Sequence, residues 1–144
     1  MMTINHSLTG GCLCGGVRYV YEGPLGGDLG PIAVCHCSLC RRAQGNAVAV
    51  APIAAAGFTV TAGADLLKEF ESTPGKYRAF CGVCGSPFYS RRDSAPDRLR
   101  LRLGSLDRAP DTLVVEAHKF TEGAPAWSLP NDAPWIPGQE PGVK

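Results

Sequence analysis

Charge of either sign is in short supply for any polyelectrolyte partner. Fourteen lysines and arginines against thirteen aspartates and glutamates leave a formal +1 over 144 residues. That balance gives no electrostatic footprint for a nucleic-acid scaffold or for binding to an anionic membrane surface. No stretch approaches the apolar length of a membrane span, and the opening Met-Met-Thr-Ile-Asn-His lacks the basic start and the apolar run of a secretory signal. A cytoplasmic location is therefore expected. Internal repeats, heptads and a long amphipathic helix are also missing, which argues against solenoids, coiled coils and helical bundles.

Cysteine is not in short supply. Seven are present, an odd number in close-spaced groups, and in a reducing compartment such groups read as metal ligands rather than disulfides. Three of them fall within Cys35-His36-Cys37-Ser38-Leu39-Cys40-Arg41-Arg42. On extended backbone a Cys-x-Cys pair points both sulfurs to one face, because strand side chains alternate with a period of two. A bend at Leu39 can bring Cys40 back to that face, whereas alternation turns His36 away from it. Thiolates are soft ligands, so zinc is the expected metal, and three protein ligands leave one coordination position open, the mark of a catalytic site.

The remaining chain reads as short strands punctuated by Gly and Pro, hence mainly β and a single domain over residues 1–144. Residues 10–21 read as a glycine-bracketed strand that starts with a second Cys-x-Cys, Cys12-Leu13-Cys14. Residues 23–31 read as a loop. The apolar run 47–53 reads as a strand because of Pro52. Phe58-Thr59-Val60 and residues 66–71 follow as strands, and Ser72-Thr73-Pro74-Gly75 signals a hairpin. Cys81-Gly82-Val83-Cys84-Gly85 is a Cys-x-x-Cys-Gly knuckle, the usual geometry for two thiolates gripping one zinc. Residues 98–103 alternate strictly between arginine and leucine, which predicts leucines facing inward and a solvated arginine face. Residues 113–120 form another strand candidate. The tail holds Trp127 and Trp135 among prolines and is expected to pack as an irregular lid, fraying from about residue 137.

Seven sulfurs divide as four plus three. The pairs Cys12/Cys14 and Cys81/Cys84 close one Cys₄ site, whose filled shell makes it structural, and Cys35, Cys37 and Cys40 are left as the site with a vacancy. Two alternatives stay open on spacing alone. The triplet could be a second structural zinc completed by His36 or an acidic side chain, or the knuckle could pair with the triplet and leave Cys12 and Cys14 spare.

The order Gly-x-Cys-x-Cys-Gly, Cys-His-Cys-x-x-Cys-Arg-Arg and Phe-Cys-x-x-Cys-Gly-Ser resembles the glutathione-dependent formaldehyde-activating enzyme family, which includes centromere-protein-V-like members. Gly104-Ser105-Leu106-Asp107 and Ala124-Pro125-Ala126-Trp127, followed by Leu129-Pro130, resemble later blocks of that family. The resemblance implies a β-tent fold of packed antiparallel sheets and two zinc ions per chain. It assigns Cys12, Cys14, Cys81 and Cys84 to the structural ion and Cys35, Cys37 and Cys40 to the catalytic one.

The chemistry expected from these residues is that of a carbon–sulfur lyase. An external thiol such as glutathione takes the open zinc position and adds to an aldehyde such as formaldehyde. Arg41 and Arg42 are candidates for gripping the carboxylates of the tripeptide or for offsetting thiolate charge. Gln44, Gly45 and Asn46 could offer polar contacts at the pocket mouth, His118 a proton shuttle and Trp127 a wall, although loop, surface and packing roles are the favoured readings of these residues. The competing expectation is a zinc-stabilised binding module without turnover.

Overall fold

The computed structural model describes residues 4–138. Strand β1 (Asn5–Gly11) pairs antiparallel with β2 (Arg18–Pro24), and β2 pairs with β5 (Phe58–Ala62) to give a three-stranded sheet. The larger sheet has seven strands in the order β10-β3-β4-β9-β8-β7-β6. Its members are β3 (Ala33–Cys35), β4 (Val48–Ala54), β6 (Leu67–Thr73), β7 (Lys76–Cys81), β8 (Pro87–Arg92), β9 (Arg98–Arg102) and β10 (Ala117–Lys119). All neighbours in it are antiparallel except β10, which lies parallel to β3. The chain is mainly β, and its two packed sheets form the expected β-tent.

Alternation along the strands decides what lies between the sheets. Tyr19 and Tyr21 of β2 meet Ile53 of β4, Phe88 of β8 and Leu99 and Leu101 of β9, and all six are buried in one core. Tyr19 stacks on Phe58 with ring centroids 4.7 Å apart and meets Phe88 edge-on at 6.2 Å. Its hydroxyl shares a 2.6 Å hydrogen bond with Ser105, so the buried polar atom is satisfied. Gly10 of β1 lets that ring approach: a Cβ there would sit 2.3 Å from the Tyr19 ring and hydroxyl.

Several expectations change in the structure. The first Cys-x-Cys is not on a strand but in the turn between β1 and β2. A seven-residue helix, α1 (Ser38–Gln44), occupies the segment read as a bend after Cys37 and ends at Gly45, whose φ of +81° is the left-handed cap that glycine adopts without penalty. Of the candidate strand 113–120 only Ala117–Lys119 pairs. The leucines of β9 do face the core, but its arginine face is not uniformly solvated, because Arg102 is only 4% exposed. Arg102 shares one cavity with Cys35 and Cys40 and another with Gln44 of α1. Trp127 and Trp135 are 61% and 96% exposed, so neither packs as a lid. Of the segment expected to fray, residues 139–144 lie outside the described residues.

Candidate metal centres

Two loops bring four sulfurs together at one end of the core. After β1 the chain makes a tight turn in which the Gly15 amide bonds to the Cys12 carbonyl at 3.0 Å, and the Val17 amide donates to Cys12 Sγ at 3.2 Å. After β7 the Gly85 amide bonds to the Cys81 carbonyl at 2.8 Å, and the Val83 amide donates to Cys81 Sγ at 3.4 Å. A 3.0 Å bond from the Leu13 amide to Ser86 Oγ joins the two turns.

The sulfurs of Cys12, Cys14, Cys81 and Cys84 all lie within 4.8 Å of one another. Cys12 and Cys14 are 3.5 Å apart and Cys14 and Cys81 3.9 Å apart. Bonds of about 2.3 Å to a tetrahedral ion would place sulfurs about 3.8 Å apart, so the cradle fits zinc. The thiols also compete for negative charge. Hydrogen bonds from Ser86 lead in pulling Cys84 down to about 5. The Gly16 amide favours the Cys14 thiolate, but Cys12, desolvation and then Cys84 and Cys81 outweigh it and push Cys14 up to about 11. Four thiolates this close ionise together only around a cation.

The second group is built from a strand end and a helix start. Cys35 closes β3, and Cys37 caps α1 in extended conformation, its sulfur accepting from the Cys40 amide at 3.3 Å. The first turn of α1 carries Cys40 back toward the pair, where it is buried. These three sulfurs also lie within 4.8 Å of one another, and among the described residues no fourth Cys, His, Asp or Glu joins them. Burial pushes the Cys35 thiol up to about 12. It acts the same way on Cys40, but a hydrogen bond from buried Arg78, whose Nη1 lies 3.6 Å from the sulfur, and the neighbouring thiols bring Cys40 down to about 7. The geometry therefore groups Cys12 and Cys14 with the knuckle, not the knuckle with the triplet.

The other singled-out residues lie elsewhere. His36 is buried with Nε2 2.9 Å from Nδ1 of His118, and His118 itself is exposed on β10. Arg41 and Arg42 occupy the last turn of α1, where positive charge suits the helix dipole, and neither lines the cavity beside the triplet. Gln44 lines a separate groove near Cys12 and Leu13, Gly45 ends the helix, and Asn46 Oδ1 accepts from the Ala47 amide at 2.7 Å. Trp127 is not at the triplet's cavity.

That cavity, of about 120 Å³, is lined by Cys35 and Cys40 and by five cationic side chains: Lys76, Arg92, Arg100, Arg102 and Lys119. Strand register assembles it. Arg78, Ser90, Arg100 and Pro52 lie side by side across β7, β8, β9 and β4, and Lys76 opposes Arg92. Arg102 Nη1 donates to Ser90 Oγ at 3.1 Å. Burial, and then neighbouring cations, lower the affinity of Lys76 and Arg100 for their protons. No single motif announced these residues. The signal was the repeated alternation in 76–78, 90–92 and 98–102.

A family profile described as glutathione-dependent formaldehyde-activating enzyme matches residues 7–123, a span holding all seven cysteines. The chain belongs to this family. A crystal structure of a Rhodobacter sphaeroides protein is 23% identical, with a TM-score of 0.61, covering 77% of this chain and 99% of that one. The likeness is one of fold. As a member of the formaldehyde-activating family, the chain presents two cysteine groups able to hold metal ions, on a scaffold in which no described helix is long and apolar enough to cross a membrane.

Proposed function

We propose that the protein is a zinc-dependent carbon–sulfur lyase that makes and breaks thiol–aldehyde adducts in the cytoplasm, with glutathione and formaldehyde as the family's pair of substrates. The observation carrying this reading is the three-sulfur group. Cys35, Cys37 and Cys40 converge beside a cavity, and no fourth protein ligand joins them among the described residues. The Cys12, Cys14, Cys81 and Cys84 group serves as the structural zinc site.

Zinc held by Cys35, Cys37 and Cys40 would supply a Lewis acid that lowers the pKa of an incoming thiol toward neutrality. The Arg78 guanidinium donates to Cys40 Sγ and favours its thiolate form, and Arg41 and Arg42 add positive charge on the helix that carries it. Cavity cations orient the anionic groups of the thiol substrate. In the forward step the substrate sulfur gives up its proton and forms a bond to the aldehyde carbon. The carbon–oxygen π pair moves to oxygen, which takes up a proton, giving S-hydroxymethylglutathione from this pair. The reverse step returns both reactants.

The test is the rate of adduct formation from formaldehyde and glutathione, followed by NMR exchange, for wild type against Cys37→Ser. The expected result is acceleration above the uncatalysed rate by wild type and its loss in the variant. Equal rates, both at the background, would leave a zinc-stabilised binding module.

A further inference from the structure

Among the described residues, six lysines and arginines line two adjoining cavities on the face of the large sheet that carries Cys35. The first holds the triplet's edge and the second adds Arg98, and the two share Arg92, Arg100 and Lys119. Among the described residues no aspartate or glutamate lines either cavity. The ion pairs formed among the described residues belong to Arg18 and Arg91, not to these six. Like charges crowded on a sheet repel one another, so the arrangement costs stability unless something anionic enters it.

The metal site does not supply enough negative charge. Three thiolates around a divalent ion carry a net single negative charge, which offsets one of the five cations beside it. A purely solvated stripe is also excluded at its inner end, where Arg102 is buried against Ser90. At the mouth Phe120 is held at φ +57°, a conformation costly for a non-glycine residue and found where structure positions a site.

Glutathione matches this lining incompletely. It brings two carboxylates, which the arginines can fork, but also an ammonium for which the described residues of the groove offer no acidic partner. The chamber nearest the cysteines, about 120 Å³, is of the order of the ~150 Å³ cavity that admits a six-carbon ring, so the thiol should carry its anionic groups close to the sulfur. We propose that the groove selects a compact, multiply anionic thiol without an ammonium group, its sulfur at the cysteine triplet and its carboxylate, sulfonate or phosphate groups on Arg92, Arg100 and Lys119. This rests on the thiol-binding role proposed above for the triplet.

The experiment titrates cobalt-loaded protein with mercaptosuccinate, glutathione and cysteamine, reading the thiolate-to-cobalt charge-transfer bands. Mercaptosuccinate should bind about tenfold or more tighter than glutathione, the scale of one charge-assisted hydrogen bond, and cysteamine weakest. Succinate, which has no sulfur, should compete with mercaptosuccinate. Arg100→Ala and Lys119→Ala, both at exposed positions, should abolish the preference, while Arg108→Ala, an exposed residue outside the groove, should keep it. Glutathione binding as tightly as mercaptosuccinate, or a preference indifferent to Arg100 and Lys119, overturns the groove's role and leaves the lyase reading standing. Bands that no thiol perturbs overturn both.

Discussion

Replacing Cys14 and Cys84 together by alanine tests whether the four-sulfur group is a cross-link rather than a packing feature. Cys14 is exposed and Cys84 partly so, and the substitutions leave Cys12 and Cys81 in the core. What disappears is a tie between residues 67 apart in sequence, from the turn of the small sheet to the knuckle of the large one. Treated as loop closure, a tie of that length is worth about 4 kcal/mol. A domain of this kind has only about 5–15 kcal/mol in hand. At about 2–4 °C per kcal/mol for a chain near this size, the melting temperature should fall by about 8–16 °C. Bound zinc should drop by one ion per chain. The assay is thermal unfolding by circular dichroism with metal analysis on the same samples. A matched pair stripped by chelator separates cross-link from packing: without metal the same substitutions should cost less than about 1 kcal/mol. An unchanged melting temperature in the metal-loaded pair, or an equal drop in the stripped pair, would refute the reasoning.

Further expectations concern single positions. Ile53→Ala opens a fully buried site between the sheets and should cost about 2–5 kcal/mol in urea unfolding with no loss of metal. Arg78→Gln removes the guanidinium beside Cys40, and chelator competition should show about 10–100-fold weaker binding at the triplet and none at the four-sulfur group. Asp107 pairs with Arg18 and Thr9, and the Arg18 guanidinium leads in holding its carboxyl down to about 2. A carboxyl depressed in the folded state contributes stability above its ordinary value near 3.8 that is lost as pH falls toward 2. Because both partners are about two-fifths exposed, screening limits this to about 0.5–1 kcal/mol. The gap between wild type and Asp107→Asn should close over pH 4 to 2 and narrow in high salt; a gap constant with pH would contradict it.

The cysteine motifs were legible because ligand spacing survives whatever backbone carries it. The sulfurs of Cys12 and Cys14 lie together with those of Cys81 and Cys84 although the first pair sits in a turn and not on a strand. Helix α1 escaped notice because seven residues hold too little periodicity, and its cap is a cysteine sulfur in place of the usual serine or aspartate. Alternation in β9 told which residues oppose one another but not what covers each face, so Arg102 was expected in solvent and lies buried. The cationic cavity draws Lys76, Arg92, Arg100, Arg102 and Lys119 from four strands, and only the pairing register brings them together. Trp127 and Trp135 misled in the opposite sense, since large aromatic area predicts burial that the short tail does not provide.

The central claim is that one metal is held by three protein sulfurs with a corner left for substrate. Zinc-edge X-ray absorption on the fully loaded chain tests it directly. Seven cysteines over two ions should give about 3.5 sulfurs per zinc at about 2.3 Å, rising to about 4 when excess thiol is added. Four sulfurs, or three with a fixed protein nitrogen or oxygen, unchanged by thiol would contradict it.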